Sequence, residues 1–557
     1  MTSANMITGR SAFLALLKDE GVTHLFGNPG TTELPIMHAL TDHPDLTYVL
    51  GLQESLVVAM ADGYTRASGK LTACNVHVAP GLGNAIGSIY NAKFAGTPMI
   101  ITAGQQEQGH GLTEPLLYAP LVPIAQPVVK WAVEVNRLED LPRIVHRAAK
   151  VAMTPPTGPV FISLPGDILN AEAGIELGSS TRIDAASRPS DDALDALAER
   201  LLAAERPALI CGPELVTADA LGEAARLAEI LGAPAYQQTV PYGAHFLSEH
   251  PAFMGALTRD QRQVRDTLAP YDLLVCIGGD VLRMSVWSET DPLPDGMPIV
   301  QIGNDDWEIG KNYPAETAVR GDVGVTLRAL LPVLEAKGGA ARATRAKAAL
   351  GALAETNWTA GRAALAAKVE SAASTQPIDP DWLMLQIADA MPVDGIVVDE
   401  GIMTSAALLK FLPFRDRYSY FGLASGGIGW GVAGAVGVQL AHPDRRVLAV
   451  SGDGSAMYSI QAIWSAARQK LPITYVIANN GGYRIIKQRL LSFHGNDQFI
   501  GMDFEDPPID FTGLATAFGL SARRVTDPAD VTPALQEALA NDGPNLIEIV
   551  VEGGVKR

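Results

Sequence analysis

Cysteine is almost missing: Cys74, Cys211 and Cys276 are the only three in 557 residues. Each sits in an apolar run, where a thiol behaves as a small hydrophobe. Three such isolated residues build neither a metal-ligand spacing nor a disulfide framework. Basic residues are also in deficit, 42 Lys and Arg against 61 Asp and Glu, for a formal net charge of −19. That balance argues against nucleic acid or an anionic membrane as a main partner, since both recruit basic surfaces. It leaves an anionic substrate open, because the local field of a pocket can oppose the global sign. No uninterrupted apolar run approaches the roughly 18–20 residues of a membrane span. The opening residues Met1-Thr2-Ser3-Ala4-Asn5 lack the basic segment and apolar core of a secretory leader. A cytoplasmic protein without membrane attachment is the expectation.

What remains is a globular composition, 47% hydrophobic and 18% charged, long enough for about three domains on a prior of ~150–200 residues each. From residue 8 to 170 helical and strand patterns alternate. Arg10–Gly21, Thr31–Leu40, Ser55–Ala67 and Gly81–Ala95 read as helices; Thr23–Phe26, Tyr48–Leu52, Leu71–His77, Pro98–Ala103 and Pro159–Pro165 read as strands. That rhythm predicts an α/β fold with a parallel sheet covered on both faces. A polar stretch at 171–189 reads as a linker. A second α/β unit follows, with strands at Ala208–Cys211, Leu273–Ile277 and Ile299–Ile302. Ala336–Thr375, rich in Ala, Lys, Arg and Glu, is either an exposed helix or a semi-flexible linker. The expected domains are 1–172, 190–336 and 376–557, the first and third sharing one rhythm and similar length.

The chemistry concentrates in the third unit. Ser451-Gly452-Asp453-Gly454-Ser455 follows a probable buried strand, Arg446–Val450, and Asn479-Asn480 follows the next, Ile473–Ile477. A helical segment, Ala456–Lys470, lies between them. Neighbouring parallel strands thus deliver a carboxylate and an amide oxygen to one edge of the sheet, where open α/β folds bind ligands. Mg²⁺ takes a carboxylate or two, neutral oxygens and substrate phosphates, and the glycines admit close approach of a diphosphate. A glycine-rich loop followed by a polar turn is the bland alternative.

The pattern Gly-Asp-Gly, a helix, then Asn-Asn resembles the thiamine-diphosphate (ThDP) binding motif. The resemblance runs along nearly the whole chain, to the ThDP-dependent 2-oxoacid decarboxylases and acetolactate-synthase-like enzymes, with the benzoylformate decarboxylases as the nearest branch. It is carried by Phe26–Thr31, Leu52-Gln53-Glu54, Gly63–Gly69 around Tyr64, Thr102–Gln106 and Gly426-Gly427-Ile428-Gly429. It implies three doubly wound parallel-sheet domains: pyrimidine-binding, central Rossmann-like and diphosphate-binding. ThDP and Mg²⁺ are the implied cofactors. Glu54 takes the carboxylate role that activates the cofactor ring, where the residues alone also allow a helix-N-terminal Glu stabilised by the dipole. Asp453, Asn480 and the Gly482 carbonyl are the implied metal ligands. Gly452, Gly454, Ser455, Tyr483, Met403 and the Gly426 carbonyl approach the cofactor, and Ile428 props it in a bent conformation. Glu400, Gly401 and Ile402 belong with Met403 in a loop near the diphosphate. Because Glu54 and Asp453 lie in different units, the relatives' arrangement implies a homo-oligomer, at least a dimer and commonly a tetramer.

For the substrate, a small-molecule 2-oxo acid, the resemblance assigns Thr31 to its carboxylate and His77 to proton transfer. Thr31 also reads as a helix cap, and His77 as a buried, hydrogen-bonded histidine. The second catalytic histidine of benzoylformate decarboxylases aligns with Ser285, and serine cannot relay protons near neutral pH as imidazole does. His110 occupies a loop where some relatives carry active-site polar residues. Leu117, Ile485 and Ile486 are candidate pocket walls. Arg484, Lys487 and Arg489 either form the solvated face of a helix or meet an anionic substrate. The expected activity is decarboxylation of a benzoylformate-like 2-oxo acid to an aldehyde and CO₂. A carboligase of the acetolactate-synthase or benzaldehyde-lyase type is the alternative, and a non-catalytic ThDP-binding protein the third. Retention of Glu54 argues against the last.

Overall fold

The structure is a computed structural model that describes residues 6–555, so the opening stretch Met1–Asn5 lies outside it. Its frame is three six-stranded sheets, parallel throughout. Across the first sheet the strands run Thr47–Leu50, His24–Gly27, Thr72–Val76, Met99–Gln105, Val160–Pro165, Trp131–Glu134. Across the third they run Tyr420–Gly422, Ile396–Glu400, Val447–Gly452, Ile473–Asn479, Asn545–Val550, Ser521–Val525. Numbered within its own sheet, each has the order 2-1-3-4-6-5, so the shared rhythm of the two units is a shared topology. The central sheet has the order 3-2-1-4-5-6 of the Rossmann fold, from Phe253–Ala256 through Ala235–Gln237, Pro207–Cys211, Leu273–Ile277 and Ile299–Gly303 to Thr317–Arg320.

Strands buried on both faces explain why apolar runs were legible: all residues of Thr72–Val76, Met99–Gln105, Leu273–Ile277 and Ile396–Glu400 are buried. The three central strands without a sequence signal are short or half-exposed, namely Ala235–Gln237, Phe253–Ala256 and Thr317–Arg320. Within 171–189, Glu172–Gly174 pairs antiparallel with Met6–Thr8, and 175–189 has no regular element. Most of 336–375 is helical rather than a semi-flexible linker. Position 336 lies inside the helix Val323–Ala354, kinked at Gly339, and Trp358–Val369 forms a further helix. Arg342 anchors the exposed segment by donating to the carbonyls of Ala204 and Leu231.

The first and third units share one hydrophobic core, joined where the helix Glu54–Ser68 crosses the helix Gly431–Ala441. Glycine permits the approach: a Cβ at Gly437 would stand 1.9 Å from the Met60 carbonyl oxygen. Beside this crossing Arg66 stacks over Trp430 at 4.5 Å. It also donates to the carbonyls of Gly422 and Tyr242, tying all three units together. The cysteines are free and buried. Among the described residues no helix is long and apolar enough to cross a membrane.

Candidate active site

In a parallel sheet a crevice opens where the strand order reverses, and the predicted residues gather at two such points. In the third sheet the reversal lies between Ile396–Glu400 and Val447–Gly452. Asp453 leaves the second of these strands as the first residue of a short helix, Asp453–Ala456, which also holds Gly454 and Ser455 and is capped by Gly452. A turn separates it from a second helix, Ala462–Gln469, so the continuous helix expected over 456–470 is broken. The Asp453 Oδ1 accepts from Gly454 N–H at 2.8 Å; its Oδ2 accepts from the Asn480 and Gly482 N–H groups, both at 3.1 Å. Burial raises the pKa of this carboxyl and the backbone donors pull it back.

Asn480 donates its Nδ2 to Thr404 Oγ1 at 3.3 Å, and its Oδ1 has no hydrogen bond among the described residues. The Gly482 carbonyl accepts from Arg484 N–H at 2.9 Å and keeps its second lone pair. Tyr483 packs its ring edgewise on Phe504, centroids 4.7 Å apart. A carboxylate, an amide oxygen and a carbonyl therefore share one sheet edge. Among the described residues no cluster of three or more His, Cys, Asp or Glu exists that could hold a metal by itself. A single carboxylate with neutral oxygens fits Mg²⁺, which keeps waters and recruits phosphates to complete its octahedron.

Across the crevice, Glu400 is buried and accepts hydrogen bonds from the Gly429 and Gly431 N–H groups. Burial pushes its carboxyl up to about 8. It thus braces the loop carrying Gly426 and the half-buried Ile428, a role that the sequence did not indicate. Asp399 accepts from Gly401 N–H and the Tyr420 hydroxyl. Ile402 sits at φ +50°, a strained conformation for a β-branched residue and one that clusters at functional loops.

In the first sheet the reversal lies between His24–Gly27 and Thr72–Val76, which places the Gly30–Glu33 turn beside His77. Gly30, not Thr31, occupies the cap position of the 3-10 turn Thr31–Glu33. The hydroxyl of exposed Thr31 has no hydrogen bond among the described residues. A Cβ at Gly30 would stand 2.1 Å from His77 Nδ1, so the turn lies directly on the imidazole. His77 Nδ1 is 2.7 Å from Glu33 Oε2. Glu33 is fully buried and accepts from Gly30 N–H, Gly104 N–H and Thr32 Oγ1 as well. A carboxylate only accepts, so the His77 proton sits on Nδ1 and Nε2 stays available. Glu33 was missed because nothing in a 3-10 turn distinguishes a buried orienting carboxylate from an ordinary first-turn acid.

Glu54 is the first residue of its helix and 8% exposed. Gln53 takes the capping position, accepting from Ser55 N–H at 2.7 Å, and Asn84 donates to Glu54 Oε2 at 3.1 Å. Its other oxygen, Oε1, has no hydrogen bond among the described residues.

A cavity of about 1030 Å³ opens between the central and third units. Met403, Gly426, Ser285 and Ile485 line it; Ile428, Leu117, Glu54 and His77 do not. Ile486 does not line it and is 48% exposed, so of the two isoleucines only Ile485 is a wall of this cavity. Lys487 is paired with Asp503 and its side chain is 12% exposed, which removes it from a solvated helix face. His110 is exposed, and its side chain lies within hydrogen-bond distance of Thr113 in its own turn.

Family models match all three units: the thiamine pyrophosphate enzyme N-terminal TPP binding domain over residues 7–115, the central domain over 194–330 and the C-terminal TPP binding domain over 399–549. The chain belongs to the thiamine pyrophosphate enzyme family, and it is a ThDP-dependent enzyme. It is 35% identical over 548 residues to benzoylformate decarboxylase of Pseudomonas aeruginosa, spanning 98% of this chain and 99% of that one. Acetolactate synthase isozyme 1 large subunit of Escherichia coli (strain K12) is 26% identical over 556 residues, 99% of this chain and 95% of the relative. The solved thiamine diphosphate-dependent 4-hydroxybenzoylformate decarboxylase of Rhodococcus jostii RHA1 superposes with a TM-score of 0.87 at 32% identity, covering 99% of this chain and 100% of that one.

Proposed function

We propose that the chain decarboxylates a 2-oxo acid without oxidation, releasing an aldehyde and CO₂, with ThDP and Mg²⁺ bound. The observation that carries this reading is the buried Glu33 carboxylate 2.7 Å from His77 Nδ1, because it holds a proton-transfer group at the sheet edge with Nε2 open. Decarboxylation ends in protonation of carbon, and a positioned imidazole contributes about 10²–10⁴-fold to such a step. ThDP, when bound, supplies the electron sink for the breaking carbon–carbon bond. Asp453, the Asn480 amide oxygen and the Gly482 carbonyl hold the Mg²⁺. Met403, Gly426 and Ile428 flank the cofactor, Glu54 meets its pyrimidine ring, and Thr31 orients the substrate carboxylate through its open hydroxyl.

The cavity of one chain is lined by neither Glu54 nor His77, which supports a homo-oligomer in which the first unit of a second copy completes the site. A dimer meets that requirement and a tetramer repeats it. A second reading, carboligation, is favoured by Ser285 on the cavity wall, where a hydroxyl replaces a proton-relaying imidazole. Assays with Mg²⁺ and ThDP against aromatic, branched and small 2-oxo acids separate the readings. Aldehyde with CO₂ supports decarboxylation, and acyloin as main product supports carboligation. Turnover undiminished by Glu54→Ala or by omission of ThDP refutes both. Cofactor binding with no turnover of any 2-oxo acid points to a binding protein.

A further inference from the structure

Two arginines on the cavity wall make no hydrogen bond or ion pair among the described residues. Arg259 lies just beyond the central strand Phe253–Ala256, and Arg489 lies in the helix Arg484–His494 of the third unit. Both line the cavity of about 1030 Å³ that also holds Met403, Gly426, Ser285 and Ile485. Among the described residues neither guanidinium has a hydrogen bond or an ion pair; Arg489 lies 5.3 Å from the Phe493 ring centroid. Most other charges around this space are already engaged, and exposed Lys410 on the same wall adds a further cation. Arg283 pairs with Asp280 and Glu308, and Lys311 joins the same two carboxylates. Glu400 and Asp399 accept from backbone N–H groups and the Tyr420 hydroxyl. The charge left over in the cavity is therefore positive, in a chain whose net charge is −19.

Burial lowers the pKa of Arg259, Tyr420 and Asp399 oppose that shift, and the like charge of Arg489 adds to it. Two guanidiniums turned toward one space repel each other until an anion sits between them. Arginine's planar fork matches carboxylate and phosphonate oxygens in pairs. Met403 and Ile485 supply apolar wall next to them, suited to a short carbon chain.

We propose that Arg259 and Arg489 form a subsite for a second anionic group, so that the substrate is a 2-oxo acid carrying a distal carboxylate or phosphonate besides its 2-oxo carboxylate. The assignment rests on the 2-oxo acid reading of the site. The test compares holoenzyme kcat/KM for 2-oxoglutarate with that for 2-oxopentanoate, and for phosphonopyruvate with that for 2-oxobutanoate. The wild type is expected to favour the charged member of at least one pair about tenfold or more, the scale of one charge-assisted hydrogen bond. Whichever pair shows the preference identifies the anion. Arg259→Met and Arg489→Met are each expected to shrink that ratio about tenfold.

Calorimetric titration of the holoenzyme with glutarate or phosphonoacetate, against butyrate, reads the subsite without turnover. Binding of the dianion that weakens about tenfold in both variants supports the subsite even if no 2-oxo acid is consumed, a result that would remove the decarboxylase reading alone. Turnover with no preference for charged tails, or variants that lower both members of a pair equally, overturns the subsite and leaves decarboxylation standing. Equal loss on both members assigns the arginines to the 2-oxo carboxylate instead.

Discussion

Replacing Glu33 by Ala, with Gln as the milder change, tests whether His77 is oriented or merely present. The wild-type carboxylate receives Gly30 N–H at 2.9 Å and His77 Nδ1 at 2.7 Å on Oε2, with Gly104 N–H at 2.9 Å and Thr32 Oγ1 at 2.8 Å on Oε1. Gln keeps one acceptor oxygen. The less costly orientation leaves that oxygen on Gly30 and His77 and turns the NH₂ toward Thr32, whose hydroxyl rotates to accept. Gly104 N–H then loses its partner inside the protein, which costs about 1–3 kcal/mol. Glu33→Ala orphans all four donors and also frees the imidazole. The stability loss is read by urea unfolding, and the catalytic loss by kcat/KM on whichever 2-oxo acid turns over. Glu33→Ala and His77→Ala are each expected to lower kcat by about 10²–10⁴-fold. Their combination should be little worse than either alone, since residues acting as one unit are not additive. A Glu33→Ala enzyme with wild-type kcat, or a double variant whose losses multiply, would refute the dyad.

Stability should also fall as pH rises, in part through Glu400. Its carboxyl is raised from 4.5 to about 8 by burial, so its contribution is complete below 4.5 and is lost as pH climbs to about 8. Denaturant titrations across that window should show a shallower slope for Glu400→Gln, and identical slopes would count against the assignment. Asp453→Ala should abolish the rise in melting temperature that ThDP with Mg²⁺ gives the wild type, and EDTA should reverse that rise; a variant still stabilised by the pair places the metal elsewhere. Gly437→Ala puts a methyl 1.9 Å from the Met60 carbonyl oxygen. It should therefore cost about 3 kcal/mol or more by unfolding, and a neutral result would mean that the helix crossing yields easily.

Much of the frame was legible because parallel strands are buried on both faces and so appear as short, continuous apolar runs. Val447–Gly452 and Ile473–Asn479 announced themselves this way, and the glycines and polar residues at their ends marked the sheet edge at which the site is proposed. The central unit was read less completely, since Phe253–Ala256 and Thr317–Arg320 alternate in burial and carry little apolar signal. Likewise the Ala-rich segment after position 336 has composition compatible with either a helix or a linker. Only its buried contacts, through Arg342 and Trp358, fix it as packed helix.

By itself, then, the sequence determined the α/β class and the three units, and it singled out the residues proposed to face a diphosphate and its metal, because strand burial and the chemistry of cation ligands are local and leave local marks. Tertiary structure alone decided which residues meet. Glu33 reaches His77 across 44 positions, Glu400 reaches Gly431 across 31, and Arg259 faces the cavity wall that Arg489 brings from another unit. Such partnerships depend on strand order and on where helices cross, and no local pattern of residues encodes either.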